Sequence, residues 1–179
     1  MADFLFAMIA AALAGIGARD QMLVASLAQK REAGPWLLGI GIGAALLSAS
    51  VAGWAGGLAA PLLTARARLI LVAMALGLAA LELIVLRPRR EAREPTESLG
   101  ALGVVLLAHQ VTDAARLLIF AIAAASAVPI LAMLGGMVGC GLGIALGWGA
   151  SDALLRAPLG TIRAGLGMVL AAVALYLVL

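Results

Sequence analysis

The chain has 179 residues, of which 65% are hydrophobic and 12% are charged, and its mean hydropathy is +1.16. A soluble domain of this length carries roughly twice that share of charged residues, because its surface faces water. The composition therefore excludes a soluble globular domain and predicts an integral membrane protein surrounded by a lipid bilayer. The sequence pI near 10.0 does not indicate a nucleic-acid partner, since the arginines lie in short loops where membrane topology accounts for them.

Six apolar segments follow one another along the chain, and each is long enough for a helix that crosses the hydrocarbon core, which takes about 20 residues. They run over residues 4–28, 36–63, 69–86, 99–126, 130–155 and 162–179. A charged run that contains two prolines separates the third segment from the fourth. We therefore predict an all-α fold of six transmembrane helices, divided into a first three-helix unit at 1–87, a linker at 88–98 and a second three-helix unit at 99–179.

Basic residues near the helix ends predict the orientation, because cytoplasmic loops of membrane proteins carry an excess of Lys and Arg. On one side we expect Lys30, Arg31, Arg87, Arg89, Arg90, Arg93, Arg156 and Arg163. The other side has only Arg66 and Arg68. This asymmetry predicts a cytoplasmic linker. Short loops, an alanine-rich composition and the lack of a targeting peptide favour a bacterial inner membrane, with both termini periplasmic.

The two three-helix units resemble one another at a nearly constant spacing. Three pairs of anchors lie 94 or 95 residues apart: 21–28 with 116–123, Gly53 with Gly147, and Arg68 with Arg163. Because each unit has an odd number of helices, the second unit enters the membrane in the opposite orientation. The pattern predicts two inverted repeats, an architecture typical of secondary transporters, whose sites lie near the midplane of the bilayer.

Glycines recur four residues apart in the second and fifth segments: Gly39 and Gly43, Gly53 and Gly57, Gly135 and Gly139, Gly143 and Gly147. This spacing places small residues on one helix face, where the backbones of two helices approach closely. The pattern favours tight packing within the bundle. A homodimer formed through the glycine-rich helices is the alternative interpretation.

Two polar runs, at 15–21 and 109–116, interrupt the first and fourth apolar segments at equivalent positions of the repeat. Charged side chains inside a membrane are energetically expensive, and they therefore mark functional sites. Glycines within the first run weaken the helix there. The candidate residues of an ion or solute pathway are Arg19, Asp20, Gln21, His109, Gln110, Thr112, Asp113 and Arg116.

The polar runs resemble the motifs of the Gdt-type cation–proton exchangers, which are manganese and calcium transporters of Golgi and bacterial membranes within the LysE superfamily. Each half of those proteins carries Glu-x-Gly-Asp-(Lys/Arg)-(Thr/Ser)-Gln, followed by an apolar helix. Gly17, Arg19 and Gln21 match the motif in the first copy, and Asp113 matches it in the second. Of the four motif acids only Asp113 is retained, and Asp20 is a displaced substitute.

The resemblance implies a secondary transporter of six helices in two inverted triplets, which exchanges Mn²⁺ or Ca²⁺ for protons. It also makes Asp20 and Asp113 the candidate metal ligands, because hard divalent cations prefer carboxylate oxygens. Arg19 and Arg116 neutralise these two acids, so we expect an eroded cation site. No resident cofactor is expected beyond the transported ion.

Two other functions stay open on the residues alone. The same fold with its arginines would suit a small amino acid or an anion, and a chain that has lost its site would act as a non-transporting membrane assembly protein. An enzyme is not predicted, since the chain has no nucleophile elbow, phosphate loop or metal-spaced Cys/His cluster.

The pairing of the charges is likewise open. The repeat predicts two ion pairs across a pseudo-two-fold axis, one between Asp20 and Arg116 and one between Asp113 and Arg19. Alternatively, Asp113 and Arg116 satisfy each other, because they lie three residues apart on one helix. We expect Glu82 to reach the membrane interface or to pair with Arg87.

Overall fold

The computed structural model describes residues 1–29, 34–86 and 98–179, and in these ranges the chain is helical without any strand. The α-helices of the described residues are α1 (Ala2–Ala14), α2 (Arg19–Gln29), α3 (Pro35–Ala59), α4 (Ala65–Val85), α5 (Leu99–Val111), α6 (Ala114–Ala125), α7 (Pro129–Gly149), α8 (Ser151–Arg156) and α9 (Leu159–Val178). A short 3-10 helix, Ala60–Leu62, follows α3. The predicted all-α class is confirmed. Most of the predicted linker, with its arginines, lies outside the described residues, as do Lys30 and Arg31.

Four helices, α3, α4, α7 and α9, are long and apolar enough to cross a membrane. Two further pairs meet the same test together but are bent, by 61° between α1 and α2 and by 55° between α5 and α6. The described residues therefore provide four spans, or six if each bent pair is one span. Several apolar helices of this kind are compatible with a multi-pass membrane protein.

The first and fourth predicted segments are each two helices rather than one continuous helix. At the first break Gly17 adopts a φ of 70°, in the left-handed region that glycine enters without steric cost. Glycines in the first polar run indicated a weak point there, and the structure confirms it. The second break, at Thr112 and Asp113, contains neither glycine nor proline, so its position could not be read from helix-breaking residues.

Glycines of α3 and α7 bring helices into close contact within the chain. A Cβ atom added at Gly53 would lie 2.6 Å from Met133, and one added at Gly139 would lie 2.3 Å from the carbonyl oxygen of Met8. The predicted packing role is therefore confirmed at these positions. By contrast, Gly39 and Gly43 have no atom within 4 Å of an added Cβ.

Polar contacts at the two ends of the bundle show how the bent pairs are oriented. The Ser126 hydroxyl donates to Asp3 over 2.6 Å, which joins the start of α1 to the end of α6. At the opposite end, the Gln29 amide donates to Asp152, which joins the end of α2 to α8. The first break consequently lies between the ends of the bundle, and the contacts of Arg116 with Asp20 and Asp113 place the second break beside it.

The close contact between α1 and α7 makes a prediction about stability. We expect Gly139→Ala to lower the free energy of unfolding by about 1–3 kcal/mol, because the added methyl group must displace backbone of α1. The matched control is Gly141→Ala on the same helix, where an added Cβ meets nothing within 4 Å. Thermal unfolding of the detergent-purified variants measures the difference. Equal midpoints for the two variants would contradict the packing of α1 on α7.

Candidate functional site at the two helix breaks

Two buried carboxylates meet at one guanidinium group in the middle of the bundle. Asp20 lies in the first turn of α2 and Asp113 directly precedes α6, and they are only 4% and 3% exposed. The Nη1 atom of Arg116 lies 2.6 Å from Asp113 Oδ2 and 3.4 Å from Asp20 Oδ2. Because each carboxylate lies at or next to a helix break, the two breaks bring both charges to the same place.

A ring of hydrogen bonds surrounds this ion-paired group. The Gln110 amide donates to Asp20 Oδ2 over 2.9 Å, and its carbonyl oxygen accepts from the Ser48 hydroxyl at 2.9 Å. Ser48 in turn accepts from Arg116 Nε at 3.1 Å. Ser48 also lies 3.2 Å from the carbonyl oxygen of Ala45 on its own helix. Sequence reasoning missed Ser48, because that backbone bond is the usual one for a serine in an apolar helix.

Gln21 supports the first break rather than lining the carboxylate pair. Its side-chain carbonyl accepts from the Gly17 amide at 2.8 Å, and its NH₂ group donates to the carbonyl oxygen of Gly143 on α7 at 2.8 Å. A Cβ atom at Gly147 would lie 2.9 Å from the backbone carbonyl oxygen of Gln21, so α7 packs tightly against α2 here. Gln21 thus ties the broken backbone to α7.

The predicted ion pair between Asp113 and Arg19 is wrong, whereas the contact between Asp20 and Arg116 is present. Asp113 pairs with Arg116 on its own helix, as the alternative interpretation proposed, because three residues of helix place them side by side. Arg19 instead approaches Thr112 at 3.4 Å, and both side chains are at least partly exposed. His109 is half-buried near the end of α5.

Glu82 is paired with Arg163, a contact that the sequence did not predict, and Arg87, its expected partner, lies outside the described residues. Glu82 is buried, and its Oε1 atom lies 2.7 Å from Nη2 of Arg163, which is 1% exposed. Its Oε2 atom accepts from the Ala114 amide at 3.3 Å, while Arg163 donates to the carbonyl oxygen of Ile16 at 3.3 Å. Arg163 is therefore no loop residue, although the orientation argument counted it as one.

The buried charges of the described residues do not balance. Within the described ranges, three carboxylates are buried (Asp20, Glu82 and Asp113) but only two guanidinium groups (Arg116 and Arg163). If all are ionised, one negative charge is in excess, and an uncompensated charge is costly away from water. A bound proton or cation would neutralise it.

Two atoms of the central ion pair remain available to such a ligand. Asp113 Oδ1 and Arg116 Nη2 are buried and have no hydrogen-bond partner among the described residues. A carboxylate oxygen is suited to a proton or a cation, and a guanidinium NH₂ group is suited to an anion or a carboxylate. The described part of the chain contains no group of three or more His, Cys, Asp or Glu placed to hold a metal ion.

Comparison of the chain with models of protein families, with characterised proteins and with solved structures finds no match. The fold and the site therefore define the protein only as an all-helical chain with several apolar, membrane-compatible helices and a buried charged cluster. Any more specific function rests on the geometry of that cluster and on the motif residues.

Removing the shared guanidinium should destabilise the bundle. We expect Arg116→Gln to lower the free energy of unfolding by about 3–5 kcal/mol, because it leaves Asp20 and Asp113 without their common counter-ion. The control is Arg156→Gln, which removes an exposed arginine. Adding Asp113→Asn to the Arg116→Gln variant should recover part of the loss in a thermal-unfolding double-mutant cycle. Additive effects would show that the two side chains are not coupled.

Proposed function

We propose that the protein is a secondary transporter of the bacterial inner membrane that exchanges a divalent cation, Mn²⁺ or Ca²⁺, for protons. Asp20 and Asp113 are its ion-binding groups in this proposal. The observation that carries it is the meeting of these two carboxylates at two helix breaks, inside a cluster with one negative charge in excess. Ionisable side chains buried in membrane proteins typically mark ion pathways and proton relays.

The order of helices supports two inverted three-helix repeats over 1–87 and 99–179. The starts of α2 and α6, at residues 19 and 114, are 95 residues apart. Those of α3 and α7 are 94 apart, as are those of α4 and α9. In each half, a helix broken near its middle precedes two long helices. Transporters with inverted repeats bind substrate at discontinuous helices near the bilayer midplane, the position that the two breaks would occupy.

Arg116 acts in this proposal as an internal counter-ion. In the described conformation its guanidinium group occupies the place between Asp20 and Asp113 that a cation would need. A cation that enters must therefore displace Arg116 from at least one carboxylate, and protons that neutralise the acids release the cation. The oxygen donors at hand suit a hard cation, because they are carboxylates, an amide and a hydroxyl group. Competition with the guanidinium predicts weak affinity.

A second candidate function is transport of a small amino acid or another carboxylate. The buried Nη2 atom of Arg116, which has no hydrogen-bond partner among the described residues, favours it. Uptake of radiolabelled amino acids by the wild type separates the two functions, because a cation exchanger would not transport them. A membrane assembly protein would show no flux of either kind.

The central test is uptake of Mn²⁺ and Ca²⁺ into proteoliposomes under an imposed pH gradient. We expect flux by the wild type to fall at least about tenfold in Asp113→Asn, because the amide neither carries a proton nor supplies anionic charge. Asp152→Asn is the matched control, since it makes the same change on an exposed carboxylate at the end of the bundle. The proposal fails if the wild type shows no flux, or if both variants retain it.

The proposed orientation, with periplasmic termini and a cytoplasmic linker, has a direct test. Thr64 and Ser98 are exposed N-cap residues of α4 and α5, and the topology places them on opposite sides of the membrane. In a Cys140→Ser background, a membrane-impermeant maleimide added to intact spheroplasts should label Thr64→Cys and not Ser98→Cys. The reverse pattern would invert the topology.

A further inference from the structure

The ion pair between Glu82 and Arg163 lies outside the carboxylate pair, and the proposed function does not use it. Its two residues come from α4 and α9, which pack side by side. With an Oε1 to Nη2 distance of 2.7 Å and almost no exposure, it is as deeply buried as the central cluster. Replacing such a pair by apolar residues is often neutral for stability, so stability alone does not account for its presence.

Each partner uses its second polar group to bind the backbone of a different helix break. Glu82 Oε2 accepts from the amide of Ala114, the first residue of α6. Asp113 occupies the N-cap position of α6 but makes no capping hydrogen bond with its side chain, so Glu82 supplies the acceptor from α4. Because Asp113 immediately precedes Ala114, Glu82 holds the backbone next to this carboxylate.

Arg163 holds the other break in the same way. Its Nη1 atom donates to the carbonyl oxygen of Ile16, between α1 and α2. An added Cβ at Gly17 would lie 3.3 Å from Arg163 Cδ, so the missing side chain makes room for the arginine stem. Among the described helices, α9 packs extensively only on α4. The arginine is therefore one of the few ties between α9 and the first break.

From these contacts we infer that Glu82 and Arg163 are positioning residues for the candidate ion site, which couple the α4–α9 pair to both helix breaks at once. The contacts themselves do not depend on the proposed function. Only the statement that they position an ion site rests on it. A displacement of α4 and α9 must either break the bonds to Ala114 and Ile16 or move the two helix breaks with it. In the second case it moves Asp113 and the segment that leads to Asp20.

Cys140 reports the state of the site without any engineered probe. It is the only cysteine of the chain, and it is buried on α7, three residues before Gly143, whose carbonyl oxygen accepts from Gln21 at the first break. Its reaction rate with a small thiol reagent therefore measures how often the site opens. The rate is measured on the full-length protein in proteoliposomes.

We expect Glu82→Gln and Arg163→Gln each to raise the labelling rate of Cys140 by about tenfold or more, because removing one partner leaves the other charge buried and unpaired. Asp152→Asn, which perturbs a hydrogen bond at the end of the bundle, should leave the rate unchanged. Labelling of Cys140 at the wild-type rate in all three variants would overturn the inference.

Exchanging the charges of Glu82 and Arg163 tests whether the two residues position the helix breaks or only neutralise each other. In Glu82→Arg/Arg163→Glu the two charges can still pair, but an arginine at position 82 cannot accept from the Ala114 amide. We expect labelling of this variant to stay fast. A return to the wild-type rate would show that only mutual neutralisation matters, and would overturn the positioning role.

A conservative variant covers the case in which the glutamine variants do not fold. Arg163→Lys keeps the charge, but the compact ammonium group lacks the fork that reaches Glu82 and Ile16 together. We expect Cys140 to be labelled faster than in the wild type, and an unchanged rate would count against the inference.

None of these labelling measurements requires that the protein transports anything. Absence of Mn²⁺ flux would overturn the proposed function alone, and unchanged labelling with intact flux would overturn the positioning role alone.

Discussion

The structure depends on one constraint, namely that a helix broken inside an apolar bundle leaves backbone amide and carbonyl groups that need partners. Charged and polar side chains supply several of these partners here. Gln21 accepts from the Gly17 amide, Arg163 donates to the Ile16 carbonyl, and Glu82 accepts from the Ala114 amide. The breaks thus hold the buried side chains in place, and those side chains satisfy the broken backbone.

Small residues make this arrangement sterically feasible. Lipid provides little hydrophobic drive for one helix to associate with another, so close backbone contact and hydrogen bonds carry more of the packing energy. Gly139 lets α7 approach the backbone of α1, and Gly147 lets it approach Gln21. The broken helices are therefore packed against a continuous one, which fixes the depth at which Asp20 enters the bundle.

The chemistry of the site follows from how its charges are shared. Asp20 and Asp113 both contact the guanidinium group of Arg116, and the guanidinium group of Arg163 pairs with Glu82. In the proposed function Arg116 competes with the ion for both carboxylates, so the ion is bound weakly and released readily. In the positioning role inferred for Glu82 and Arg163, ion binding at the centre and movement of α4 and α9 are linked through the bonds to Ala114 and Ile16.

The sequence by itself determined the membrane class, the all-α fold, the approximate helix limits and the polar runs that contain the candidate site. These follow from local composition, because about 20 apolar residues make a span and a charge within a span stands out. The break at Gly17 could also be predicted from the sequence, since glycine permits a positive φ.

Only the tertiary structure decided which charges meet. It paired Arg116 with two acids rather than one, buried Glu82 against Arg163, and drew Ser48 into the hydrogen-bond ring. Such contacts join residues far apart in the chain, and they depend on how helices rotate and pack, which no local pattern encodes.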